Sequence, residues 1–97
     1  MAHDYTIRFT MKTLNGFHPM CDFYLGNNPA MSLSLFSQLE GNGEVSESDI
    51  LHVDLVEEKN GLPVDVKIKR CTLPELGRNC CHIAKELFKY RNLEQGG

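Results

Sequence analysis

Apolar and polar side chains alternate along the start of the chain. The apolar positions fall on one side and the polar positions on the other, namely Tyr5, Ile7, Phe9 and Met11 against Thr6, Arg8, Thr10 and Lys12. A period of two is typical of an antiparallel strand with one buried face. Asn15 and Gly16 follow, and both residue types tolerate the positive φ of a tight turn. We therefore predict that a second strand folds back on the first as a hairpin.

The second half of the chain repeats this plan. Its apolar alternate positions are Leu51, Val53 and Leu55 before an Asn-Gly pair, and Val64, Val66 and Ile68 after it. Asn60 and Gly61 are the strongest short signal for a two-residue hairpin turn. The sequence therefore predicts a second hairpin.

Both hairpins have a predicted register. In the first, pairing of Phe9 with Phe23 keeps every apolar residue opposite another, which requires a bulge or a longer loop near 18–19. In the second, a two-residue turn places Asp54 opposite Lys67, an opposite-charge pair worth a few tenths of a kcal/mol. Turn chemistry and face pattern agree there, so we expect an unbroken second hairpin.

Two helices are predicted from capping signals. Asn28 is a suitable N-cap with Pro29 behind it, and Gly41 suits the stop of that helix. Thr72 and Glu75 form a capping box for the last helix. The expected buried residues are Met31, Leu35, Phe36 and Leu39 in the first helix, and Leu76, Cys80, Ile83, Ala84 and Leu87 in the second, with Cys80 at the centre.

The element order is ββαββα, which indicates an α+β fold of two layers. We expect one domain over 1–97, with a four-stranded antiparallel sheet, both helices on one face and the other face open. The predicted boundaries are strands near 4–13, 20–25, 50–58 and 62–70, helices near 29–40 and 73–91, an ordered core over about 4–91 and a polar tail over 92–97.

Composition narrows the classes of partner. The chain has a formal net charge of −3, which argues against nonspecific binding to nucleic acid, since that requires a basic face. No apolar run approaches the roughly 18 residues of a membrane helix, and the N-terminus does not resemble a secretory signal. We therefore expect a cytoplasmic protein without a membrane partner.

The cysteines do not indicate a metal site. There are four, at positions 21, 71, 80 and 81, and in a reducing compartment an even count does not imply disulfides. Neighbouring helical residues point about 100° apart, so Cys80, Cys81 and His82 cannot converge on one ion. We predict no metal, cofactor or catalytic residue.

One group of residues, around Cys71 and His52, is the reason why an enzyme is the alternative interpretation. Cys71 is expected at a helix N-terminus beside Lys69 and Arg70, where the dipole and the positive charges lower the pKa of a thiol. The predicted register makes His52 its diagonal neighbour on the open face, with Asp54 next to His52. This row resembles a nucleophile with its base. An open sheet face, however, offers neither a pocket nor oxyanion donors.

The remaining features favour protein interaction. The open face resembles an RNA platform in layout, but Tyr24 is its only expected exposed aromatic residue. Sheet edges expose unpaired backbone groups, and their protection is sparse, with Pro19 and Pro63 both near strand ends. We expect a non-enzymatic interaction module whose partner is another protein or a second copy, with edge pairing preferred over face packing. The alternative is a small cysteine-dependent or ligand-binding enzyme using Cys71 and His52.

Overall fold

Four strands and two helices follow one another in the predicted order. The computed structural model describes residues 3–46 and 48–94, with only the backbone described for 91–94. The elements are β1 (Asp4–Thr13), β2 (Gly16–Gly26), α1 (Pro29–Ser37), β3 (Leu51–Lys59), β4 (Leu62–Arg70) and α2 (Leu73–Glu94). The predicted α+β fold is confirmed. The end of the predicted polar tail, 95–97, lies outside the described residues.

The four strands form one antiparallel sheet in the order β2-β1-β3-β4. One face of this sheet packs against both helices, and we call it the covered face. The buried core on that face is made of Tyr5, Ile7, Phe9, Leu25, Leu35, Phe36, Leu39, Val53, Leu55 and Ile83. The opposite face carries no helix and is called the open face.

The predicted caps form at the start of both helices. The side chain of Asn28 accepts a hydrogen bond from the backbone N–H of Met31 at 3.0 Å. The N–H of Thr72 donates to the Glu75 carboxylate at 2.8 Å, and the N–H of Glu75 donates to the Thr72 hydroxyl at 3.3 Å. This reciprocal pair is the predicted capping box.

The buried stripe of α2 is rotated from the predicted one. Its fully buried members are Ile83 and Asn79, whereas Cys80 is half-buried and Ala84 is exposed. Asn79 is buried because its amide bonds the backbone of Glu40, accepting from the N–H at 2.8 Å and donating to the carbonyl at 2.9 Å. The prediction that Cys80 centres the stripe is therefore wrong.

The first hairpin differs from its predicted register by two residues. Phe9 lies opposite Cys21 and Ile7 opposite Phe23. Over 21–24, a shift of two residues keeps the side chains on their predicted faces, and a second irregularity leaves Leu25 unpaired. Met20 has no partner in the ladder, so a bulge occurs one residue beyond the predicted position.

The second hairpin contains a bulge, although the sequence predicted an unbroken ladder. Its two-residue turn forms, but Val66 has no partner in the ladder. Beyond this bulge Leu55 lies opposite Lys67, and Asp54 lies opposite Ile68. A shift of one residue exchanges the two faces of a strand. The predicted pair of Asp54 and Lys67 is therefore wrong.

This exchange turns Lys69 towards the helices. Its ammonium group donates to the carbonyl oxygens of Phe36 at 3.1 Å and Leu39 at 2.9 Å, and it lies 5.0 Å from the centre of the Phe36 ring. The last carbonyls of a helix have no partner within that helix. Lys69 therefore caps the C-terminal end of α1.

Candidate functional site

A groove runs between α1 and the edge strand β4. Its volume is about 300 Å³, and it is lined by Leu33, Phe36 and Ser37 of α1, by Gly43, and by 67–69 of β4. A groove between an edge strand and a helix can accept an extended segment as an additional strand. We call this feature the β4 groove.

The backbone groups on the outer side of β4 are hydrogen-bonded to another segment at one end of the strand only. Asn42 pairs with Arg70, whose N–H donates at 2.8 Å and whose carbonyl accepts at 2.9 Å. Gly41 permits this approach, because a Cβ there would lie 2.7 Å from the Arg70 oxygen. Ile68, two residues before Arg70, turns its backbone groups the same way. Among the described residues, none pairs with this side of β4 between Pro63 and Ile68.

Apolar side chains border this free segment. Val64 is 49% exposed and Val66 is 39% exposed, and Leu33 is 41% exposed on the neighbouring helix. Asp65 and Lys67 alternate with the valines and are also exposed. The segment 64–68 therefore reads apolar, acidic, apolar, basic, apolar.

The other edge strand, β2, differs in charge. Both edges carry a bulge and a proline, with Met20 unpaired next to Pro19 on β2, so edge protection is greater than the sequence suggested. β2 contains Asp22 but neither lysine nor arginine. β4, by contrast, carries Lys67 and Lys69 as well as Asp65.

On the open face, charged residues form a row across the four strands. The Arg8 guanidinium donates twice to the Asp22 carboxylate, at 2.9 and 3.2 Å. Arg8 also lies opposite Asp54 in the β1–β3 ladder. The Asp54 carboxyl group is a diagonal neighbour of the Asp65 carboxyl group of β4 on this face, a placement that allows a hydrogen bond between the two. Two ionised carboxylates only accept, so this bond requires a proton.

Asp54 is the unusual member of the row. The residue is 9% exposed, and its Oδ1 atom has no hydrogen-bond partner among the described residues. Burial, followed by repulsion from Asp65, raises the pKa of Asp54 to about 7, against a smaller opposing effect of Arg8. The sequence suggested Asp54 only as a neighbour of His52, because neither the bulge nor the burial was visible.

The structure separates Cys71 from His52. Cys71 packs against the core on the covered face, and burial raises the pKa of its thiol to about 11. His52 points to the open face, where its ring stacks on Phe17 with centroids 4.8 Å apart. Its nearest described carboxylate is Asp49, at 4.0 Å. The predicted lowering of the thiol pKa and the shared face are both wrong.

The other sequence candidates also lie apart. The described residues hold no group of three or more His, Cys, Asp or Glu side chains placed to bind a metal ion. On the open face, Tyr24 donates to the Asp4 carboxylate at 3.1 Å, and Phe17 is a further exposed aromatic residue that the sequence analysis missed. Lys69, which an unbroken β4 ladder would place on this face, lies beneath α1 instead.

Comparison with known protein families, curated proteins and solved structures finds no match to this chain. In the described part of the chain, neither helix combines the length and the apolar character needed to cross a membrane. The function is therefore inferred from the geometry of the β4 groove and of the open face.

Proposed function

We propose that the protein is a non-enzymatic interaction module that associates with a second copy of itself along β4. Two β4 strands would pair antiparallel across a two-fold axis near Val66. This is an isologous contact, in which each copy presents the same surface. The compartment proposed for it is the cytoplasm, in keeping with its four free cysteines.

The unpaired outer side of β4 is the observation that supports this proposal. Among the described residues, none pairs with the outward backbone groups between Pro63 and Ile68, and a second copy could add to them as an antiparallel strand. The exposed side chains of Val64, Val66 and Leu33 beside this segment would then be withdrawn from water.

The size of the contact sets the expected strength. The free segment spans 64–68, and Leu33 adds apolar area from α1. Stable interfaces bury about 800 Å² on each partner, and one short strand provides less. We therefore expect a weak dimer that dissociates on dilution.

Sedimentation equilibrium across micromolar concentrations tests the proposal. We expect a reversible monomer–dimer equilibrium for the natural chain. Val66→Lys places two ammonium groups at the two-fold axis, so its association constant should fall at least tenfold, about 1.4 kcal/mol.

Met20→Lys is the matched control. Met20 is an exposed, unpaired bulge residue of the other edge strand, with 58% of its surface accessible, so the substitution adds the same charge at a comparable place. The control should associate like the natural chain. A natural chain that stays monomeric, or a dimer weakened equally by both substitutions, would refute association through β4.

A further inference from the structure

The contact between Asp54 and Asp65 lies at a distinctive place in the sheet. Asp54 is on central β3, and Asp65 immediately precedes the Val66 bulge on β4. Asp65 pairs with Val56 in the ladder, so Asp54 and Asp65 are diagonal neighbours on the open face. The two carboxyl groups therefore bridge the strands where their register changes.

The surroundings explain why no cation neutralises Asp54. Arg8 of β1 is the nearest cationic side chain of the row, and both bonds of its guanidinium described above go to Asp22 of β2. His52 lies two residues away on the same face of β3, engaged with Phe17. Both helices pack against the covered face, on the side of the sheet opposite to Asp54. The Oδ1 atom of Asp54 remains buried without a partner among the described residues.

We propose that Asp54 and Asp65 form a proton-operated latch between β3 and β4. With the proton bound, the hydroxyl group of Asp54 donates to the Asp65 carboxylate and holds β4 against β3 at the bulge. When the proton leaves, the buried Asp54 carboxylate faces the exposed carboxylate of Asp65, and their repulsion loosens β4. The latch does not depend on what binds to the β4 groove, although it controls the order of that edge.

The expected pH dependence follows from the sign of the shift. The folded protein raises the pKa of Asp54 from 3.8 to about 7, so folding favours the protonated form. The stabilisation is complete below the unfolded value and is lost as the pH rises through the folded value. Stability should therefore fall between these two values, which is the reverse of the behaviour of a salt-bridged aspartate.

Chemical denaturation at about pH 5 and about pH 8, at a dilution where the chain is monomeric, tests the latch. The denaturation midpoint of the natural chain should fall as the pH rises. In Asp54→Asn, the amide N–H donates to Asp65 at both pH values, so its midpoint should fall by less than half as much. The histidines are common to both proteins, so their titration cancels in the comparison.

Glu58→Gln supplies a matched control, because Glu58 is an exposed carboxylate on the same strand. It should keep the pH dependence of the natural chain. An NMR titration of the Asp54 side chain in the natural protein gives a second measurement, which needs no variant to fold. A midpoint near 7 would support the latch, whereas a midpoint near 4 would overturn it. Equal pH dependence in the natural chain and Asp54→Asn would overturn it as well.

Discussion

The two faces of the sheet differ in the partners that they provide for a charged side chain withdrawn from water. On the covered face, the Lys69 ammonium donates to two carbonyl oxygens at the end of α1 and lies over the ring of Phe36. On the open face, Asp54 is more deeply buried than Lys69, yet one of its oxygens has no partner among the described residues. The two residues lie on neighbouring strands.

Because of this difference, Lys69 has a structural role, whereas the charge of Asp54 depends on the pH. A charge whose hydrogen bonds are satisfied contributes to one fixed arrangement, and removing it takes a donor away from the carbonyl groups that it contacts. A buried carboxyl group without a cation exists partly as the neutral acid near neutral pH, so a proton changes its interactions. We therefore expect the covered face to respond to mutation and the open face to respond to pH.

The strongest test of the covered face is Ile83→Asp. Ile83 is completely buried between α2 and the sheet, so the substitution leaves an unpaired carboxylate in the core. The cost should exceed about 4 kcal/mol and unfold a domain of this size, which circular dichroism would detect. His82→Asp, one residue earlier on the rim of the helix, should cost less than about 1 kcal/mol. Equal costs would mean that α2 is rotated.

A smaller effect is expected at the cap of α1. Lys69→Met keeps much of the side-chain length but removes both hydrogen bonds to α1, which should cost about 1–3 kcal/mol in the free energy of unfolding. Lys67→Met is the matched control, because Lys67 is an exposed lysine on the same face of β4. Its free energy of unfolding should change little. Urea denaturation measures both variants, and a greater loss for Lys67→Met would contradict the inward position of Lys69.

The smallest effect is expected on the open face. Arg8→Lys keeps the positive charge but loses the two-pronged bond to Asp22, whose carboxylate is about half exposed. A solvent-exposed pair contributes little, so the loss should stay below about 1 kcal/mol in thermal denaturation. A larger loss would show that this row of charges supports the fold as strongly as the covered face does.

The elements could be predicted because their signals are local. Alternation, the two Asn-Gly turns and the capping box of Thr72 and Glu75 each depend on residues a few positions apart. The buried role of Asn79 was missed because its partners belong to the backbone of Glu40, which is distant in sequence. The spacing of apolar residues in α2 therefore predicted the helix correctly. It predicted the rotation of the helix about its own axis only approximately.

The functional surfaces were harder to predict because they depend on a bulge. Residues 62–69 alternate without interruption, so nothing in the sequence marks Val66 as unpaired. The single shift turns Lys69 under α1, moves Lys67 away from Asp54 and brings Asp65 towards it. The same shift invalidated the proposed row of Cys71 and His52. Tertiary contacts at the end of α1 satisfy Lys69, and no local pattern reports them.

Amide hydrogen exchange at Ile68 tests the proposed association through β4 most directly. The outward direction of this amide follows from the bonds of Arg70 to Asn42, so a second copy paired along β4 would cover it. We expect its exchange to slow as the protein concentration rises through the micromolar range, while the outer amides of β2 exchange at a constant rate. Exchange at Ile68 that is independent of concentration in a solution where sedimentation shows dimers would contradict the account.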